Sequence, residues 1–421
     1  MIDALRDACA RFGVEGAILD HALAAAEAVQ PAWRSRDAHA LRVSAKVVQA
    51  FAGVGISDAH LQGTTGYGYH DFGREAYEAV LASVMDAPRA LARVQLVSGT
   101  QAIVATLAAV AGAKPSICSL TGRPYDTLRL ALVDHPNALC AGGAGYDEVP
   151  FHATTGPDER AIAAALRRRP AAVFIQRSRG YAPRPSLSIK DIERLIAIVR
   201  RESPQAKVVV DNCYGELVEL AEPSAVGADA VVGSLIKNLG GGMAPSGAYV
   251  AGSSVVIDRV AERIFAPGLA TGIGPTLDAG RWLFAGLHRA PKAVCESLKT
   301  MDFAAALFSR LGYAVDPLPG APRTDIIQAI RLGSPDALLA FAAGLQRMLP
   351  VNARATPEPG PVPGYADPVI MAGGAFVSGS TLELSCDAPL RAPFEVYVQG
   401  GMDVGHGMLA VTSAAARVVH A

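Results

Sequence analysis

The stretch that most constrains this chain is residues 207–252, KVVVDNCYGELVELAEPSAVGADAVVGSLIKNLGGGMAPSGAYVAG. An apolar, β-branched run from Lys207 to Val210 closes on Asp211, and a second, Asp229 to Gly233, leads to Ser234 and Lys237. Such runs read as strands buried on both faces of a parallel sheet, and open α/β sheets place their chemistry beyond the carboxyl ends of those strands. An acid closing one strand and a lysine just past the next, with Gly240, Gly241 and Gly242 behind it, describe a site for a cofactor. The plain alternative is an ordinary βαβ unit with a surface lysine.

Pyridoxal phosphate (PLP) suits that pair. It needs a lysine for covalent attachment and a carboxylate that keeps its pyridine nitrogen protonated, so that the ring accepts electrons. A phosphate cradle is offered upstream, where Ala92 to Val97 reads as a strand running into Ser98-Gly99-Thr100-Gln101 and an alanine-rich helix, Ala102 to Ala111. Free N–H groups at the positive end of a helix bind phosphate, although Ser-Gly-Thr is also a common cap. Tyr125 lies between two expected strands, Ser116 to Leu120 and Arg129 to Val133, where an aromatic stacks on a flat ring or simply packs. The glycine-rich segment HLQGTTGYGYHDFGR (60–74) holds Tyr67, Tyr69 and Arg74, and reads either as a phosphate- or carboxylate-binding loop or as a long surface connection. After a strand at Ala171 to Gln176 come Arg177, Arg179 and Arg184, which suggest anion recognition or a solvated basic loop. A helix starts near Ser188, with a capping box at Ser-Ile-Lys-Asp.

With Lys207 to Asp211, Asp229 to Gly233 and Gly247 to Ala251, seven strands are expected, most of them separated by helices. That alternation predicts a mainly parallel sheet between helices. Residues 1–50 read as a helical arm broken at Pro31, 51–285 as a large domain and 286–421 as a smaller α+β domain. A helix from about Asp278 to Met301 leads into the last of these, with helices at Ala304 to Leu311 and Pro335 to Met348 and antiparallel strands near 323–331, 368–377 and 380–386. A net charge of -1 gives no basic excess for nucleic acid or a membrane surface. No uninterrupted apolar run approaches the roughly 18 residues of a membrane span. The six scattered cysteines lack zinc-site spacing, so no metal centre is expected. Reduced thiols and an N-terminus unlike a secretory signal point to the cytoplasm.

Taken together, TTGYGYHDFGR, VSGTQAI, GRPYDTL, FIQRSRGY, VDNCYGE, GSLIKNLGGG and ELSCDAPLR resemble the aluminium resistance protein or methionine γ-lyase-like family, in order and over nearly the whole chain. That family lies in the Cys/Met-metabolism branch of fold-type-I PLP-dependent enzymes. The resemblance implies an α/β, fold-type-I PLP-dependent transferase fold with a smaller C-terminal domain. It makes Lys237 the lysine joined to the cofactor, Asp211 the partner of the ring nitrogen, and Ser98, Gly99, Thr100 and Ser234 the phosphate ligands. Tyr125 becomes the stacking ring and candidate acid. Tyr67 or Tyr69, with Arg74, would reach the phosphate of a neighbouring subunit in a homodimer or homotetramer. The branch's carboxylate-binding arginine, which precedes a Leu-Ser pair, is replaced here by Glu383, leaving Arg391 or Arg179 for that task. The implied reaction is elimination or replacement at Cβ or Cγ of a sulfur-containing or related amino acid, with Lys237 removing the Cα proton. A PLP-dependent aminotransferase or aldolase, and a non-catalytic PLP-fold binding protein, are the alternatives.

Overall fold

The valine-rich runs become the middle of a seven-stranded sheet. In the computed structural model, which describes residues 2–152 and 156–420, its strands are β1 (Arg89–Arg93), β2 (Ile117–Ser119), β3 (Tyr146–Glu148), β4 (Ala172–Gln176), β5 (Lys207–Asp211), β6 (Ala230–Ser234) and β7 (Ala248–Gly252). They lie in the order β1-β7-β6-β5-β4-β2-β3. Strands β3, β2, β4, β5 and β6 are parallel, whereas β7 is antiparallel to both β6 and β1. Val208, Val209 and Val210 of β5 and Val231 and Val232 of β6 are wholly buried, as a strand covered on both faces requires. Ile103 and Leu107 of helix Gly99–Ala111, and Val256, Ile257 and Val260 of helix Ser254–Ile264, share a core with Phe174, Val209, Val232 and Val250. Helix Ile189–Glu202 begins with the expected capping box, the Ser188 and Asp191 side chains each accepting the other's backbone N–H.

Two expectations change. Arg129 to Val133 is helical: a turn at Asp126–Arg129 continues through Asp134, burying Leu128 and Leu132 four residues apart on one face. The seventh strand is instead Tyr146–Glu148. Strand β1 ends at Arg93, where its pairing with β7 stops at Ala248, and residues 94–97 turn the chain into helix Gly99–Ala111.

The chain divides into two compact units, residues 44–288 and residues 1–43 with 289–421. One N-terminal helix ends at Ala28 and the next begins at Gln30, so the helical run breaks just before Pro31. Pro31 itself occupies the first turn of helix Gln30–Val54, where the N–H it lacks would have no partner. Leu5, Cys9, Leu19, Leu23 and Trp33 share one core with Phe308, Phe341 and Val411, so the segment expected as an arm belongs to the C-terminal unit. That unit carries a second sheet of six strands, β8 (Ala314–Asp316), β9 (Ile327–Arg331), β10 (Pro359–Gly360), β11 (Val369–Gly373), β12 (Ser385–Pro389) and β13 (Glu395–Gln399). Their order is β8-β9-β13-β12-β11-β10, and every pairing is antiparallel, as expected. Among the described residues, no helix is long and apolar enough to cross a membrane.

Helices Pro335–Gln346 and Val404–Val419 meet at Gly344, where a Cβ would lie 2.6 Å from Ala414 Cα and 2.8 Å from the Ser413 carbonyl oxygen. Backbone on the facing side cannot yield as a side chain would. Gly344→Leu is expected to cost about 1–3 kcal/mol, read as a lower urea midpoint with an unchanged slope.

Candidate active site

The parallel strands β4, β5 and β6 end at Gln176, Asp211 and Ser234, and the site is built at those ends. Asp211 is 4% exposed, and its Oδ1 accepts the Cys213 N–H at 3.1 Å. Burial pushes its pKa up, against hydrogen bonds from Cys213 and the charges of Lys237 and Arg184. Lys237 lies three residues past the end of β6, and its Nζ is 3.6 Å from the centroid of the Tyr214 ring. Burial pulls the lysine's pKa down, but Tyr214, Cys213 and Asp211 outweigh it, so the ammonium is favoured.

Helix Gly99–Ala111 points its amino end at this place. Ser98 caps it, Oγ accepting the Gln101 N–H at 3.1 Å, and the N–H groups of the first turn have no carbonyl within the helix to meet. A Cβ on Gly99 would sit 3.5 Å from Cys213 Sγ and 3.6 Å from Ser234 Cβ, so the Ser-Gly-Thr turn, Cys213 and Ser234 converge. Tyr125 is fixed at both ends: its hydroxyl lies 2.7 Å from Thr100 Oγ1 and its N–H donates to Gln176 Oε1 at 3.1 Å. Burial, then the charge of Asp211, raise the Tyr125 pKa well above its ordinary value, so the phenol keeps its proton. Lys237, Asp211, Tyr125, Ser98, Gly99, Thr100 and Ser234 are thus brought together.

The loop of residues 62–71 is arranged differently. Asp71 is buried and accepts the N–H groups of Arg74 and Thr276 at 2.9 Å each, as well as the hydroxyls of Thr64 and Thr276. Arg74 is also buried, and its Nη1 donates to the carbonyls of Gly68 and Gly274 at 2.9 and 2.8 Å. The resemblance expects Arg74 at a neighbouring subunit's phosphate; within its own chain this guanidinium braces its loop. Tyr67 and Tyr69 stand outward at 75% and 55% exposure, with ring centroids 5.7 Å apart.

The arginines after β4 are internal rather than solvated. Arg177 Nη1 donates to Asn212 Oδ1 and the Gly215 carbonyl, and Arg184 Nη2 to the carbonyls of Gln176 and Ser178. Arg179 is buried and directs Nε and Nη2 to the Arg184 carbonyl. Arg391 belongs to the C-terminal unit, where it forms an exposed pair with Asp367 at 3.5 Å. Glu383 is buried in that unit and accepts the N–H groups of Phe376 and Val377.

Sequence reasoning missed the turn after Asp211. Tyr214 meets Lys237, and behind it Glu216 and Tyr249 are both wholly buried, the phenol donating to Glu216 Oε1 at 3.1 Å. The position of VDNCYGE, directly past a strand closed by the candidate acid, was the available signal.

The residues fit PLP on their own chemistry. A buried carboxyl, whose charge burial disfavours until a cation compensates it, is suited to a cationic ring nitrogen, and a helix start flanked by Ser98, Thr100 and Ser234 is suited to a phosphate. The lysine that would attach it lies beside both.

Comparison with known proteins gives the same direction. Residues 18–419 match the family described as Methionine gamma-lyase. The uncharacterized protein YnbB of Bacillus subtilis (strain 168) is 39% identical over 373 residues, covering 88% of this chain and 89% of its own. The crystal structure of a carbon-sulfur lyase involved in aluminum resistance from Clostridium novyi NT aligns with a TM-score of 0.93 at 33% identity, over 99% of this chain and 100% of that one. A Listeria monocytogenes structure, described as a candidate cystathionine beta-lyase involved in aluminum resistance, aligns at 0.91 and 38% identity, over 95% and 99% of the two chains.

Burial first, and then the nearby Glu222, push the Glu216 pKa from 4.5 up to about 8. The folded chain therefore holds a proton that the unfolded chain has lost, and this group's contribution to stability falls as pH rises from 4.5 to about 8. Glu216→Gln should remove that slope, so that urea unfolding series at several pH values converge below the window and separate above it, with the variant more stable.

Proposed function

The chain belongs to the methionine gamma-lyase family and is a carbon–sulfur lyase, and from that premise we propose that it eliminates or replaces a sulfur-bearing group at Cβ or Cγ of a free amino acid in the cytoplasm, with PLP as cofactor. One observation carries the reading: Lys237, Asp211 and Tyr125 meet at the amino end of a single helix, beyond three parallel strands.

Lys237 would hold the cofactor covalently, Asp211 its ring nitrogen, and Ser98, Gly99, Thr100 and Ser234 its phosphate, with the Tyr125 ring against its face. When bound, PLP supplies an electron sink for the negative charge that develops at the substrate's Cα. Lys237 Nζ takes the Cα proton once the substrate amine has displaced it. Asp211, kept from water, opposes loss of the proton on the ring nitrogen. Tyr125 is a phenol held protonated and oriented by Thr100, and it donates that proton to the departing sulfur. The family's name points to cleavage at Cγ and the Listeria name to Cβ. Both require this base and this acid; γ-elimination adds removal of a Cβ proton, for which Lys237 is again the candidate.

We propose further that a second copy of the chain covers Tyr67 and Tyr69, the assembly being a homodimer or homotetramer. An aromatic pair so exposed beside an internally braced Arg74 supports this.

Incubation with a panel of sulfur amino acids should release a 2-oxo acid, ammonia and a thiol without any added keto acid. Turnover that requires a second keto acid would make the enzyme an aminotransferase instead. Lys237→Ala should lower kcat by at least about a thousandfold and Tyr125→Phe by roughly a hundredfold. Borohydride treatment of the loaded protein should fix the cofactor's mass on the wild type and not on the lysine variant.

A further inference from the structure

We propose that Tyr214 is a further catalytic residue, whose ring face and hydroxyl hold the Lys237 nitrogen through both of its charge states. The proposal rests on Lys237 being the base of the lyase reaction.

The geometry begins with the contact itself, Nζ 3.6 Å from the ring centroid, with Tyr214 raising the pKa of the lysine beside it. Tyr214 reaches that place with φ at 72°, in a left-handed conformation that bulky residues rarely adopt and that persists only where surrounding structure enforces it. The enforcement is visible. Asn238, the residue after Lys237, donates from Nδ2 to the carbonyls of Tyr214 and Glu216 at 3.0 and 2.9 Å. The base and the clasp on its aromatic partner therefore share one short segment.

From the other side, Arg177 Nη1 donates to the Gly215 carbonyl at 2.9 Å and to Asn212 Oδ1 at 2.7 Å. A Cβ at Gly215 would lie 2.6 Å from Arg177 Cδ, so only glycine lets the guanidinium approach. Glu222 takes the Leu217 N–H and the Asn212 amide at 2.8 Å each. The backbone on both sides of Tyr214 is thus held by side chains outside the turn, and the ring has one aim.

Chemistry explains why a tyrosine stands there. A catalytic lysine must alternate between ammonium and free amine. A paired carboxylate would hold it as the ammonium, and an apolar wall would leave a buried ammonium uncompensated. Among the described residues, no carboxylate forms a salt bridge with Nζ; Asp211 acts on it through its charge, and the Tyr214 ring is its neighbour at 3.6 Å. An aromatic face attracts the cation, while a phenol oxygen accepts from the ammonium and its O–H donates to the free amine. As Nζ takes the proton from Cα, the new N–H bond forms and a positive charge appears on the ring face. When Nζ gives the proton up, the hydroxyl reverses its role. Tyr214 itself neither gains nor loses a proton.

Two variants separate the contributions. Tyr214→Phe keeps the ring and removes the hydroxyl; Tyr214→Leu removes both. Each is compared with the wild type after loading with PLP, by the visible absorbance of the bound cofactor and by kcat and KM across pH. Tyr214→Phe should load normally and lose roughly tenfold to a hundredfold in kcat with little change in KM. Tyr214→Leu, lacking the face that favours the cation, should also shift the acidic limb of kcat and the absorbance midpoint to lower pH. Loaded variants with wild-type kcat and wild-type pH profiles would overturn the role of Tyr214 and leave the lyase reading standing. A wild type that shows no visible band with PLP would instead overturn the lyase reading. If the leucine variant fails to fold, the near-isosteric phenylalanine variant decides through its kcat.

Discussion

The site depends on two neighbouring strands ending side by side. Asp211 closes β5 opposite Val232 of β6, and two residues beyond that partner β6 closes at Ser234. The sheet's hydrogen bonds therefore set the spacing between the acid and the segment that carries Lys237. No loop has to supply that spacing. The wholly buried valines on both strands anchor it, because moving either strand would expose or overpack a core that tolerates neither. Around this fixed pair, a helix start brings N–H groups and Tyr125 brings a phenol. The fold supplies position and the side chains supply charge.

Buried charge is the site's second theme. Arg177, Glu222, Asn212, Glu216 and Tyr249 form a polar layer beneath the reacting groups, in which nearly every donor is matched. Such a layer is costly if half satisfied and rigid if complete. Here its rigidity appears in the turn after Asp211, which holds both Tyr214 and Leu217 in left-handed conformations.

How much of this was legible in the sequence depended on whether the signal was a pattern or a conformation. The runs at 207–211 and 229–233 were legible because continuous valine and alanine have few other uses, and β5 and β6 lie there to within a residue. Lys237 and Asp211 came from their places at the ends of those runs. Arg129 to Val133 misled because a short apolar run suits a strand or a helix equally, and the buried pair Leu128 and Leu132 settled it as a helix. Three nearby arginines read as an anion site or as a solvated loop, because a sequence shows charge without showing which backbone carbonyls meet it. Tyr214 could not be assigned, since nothing in its identity announces a positive φ, and only the pairing of β5 with β6 brings its ring to Lys237. The N-terminal helices were read correctly as helices, but their packing with the C-terminal unit is a tertiary fact.

All six cysteines are buried, none is bridged, and burial raises the pKa of every one of them. Attack on a disulfide requires a thiolate with access to it. A small disulfide, once its thiols have been oxidised, exchanges into a mixed disulfide wherever a reactive cysteine thiolate is offered. None of the six is offered in that way, not even Cys213 beside Asp211 and Lys237, so thiol–disulfide exchange finds no ready partner among them.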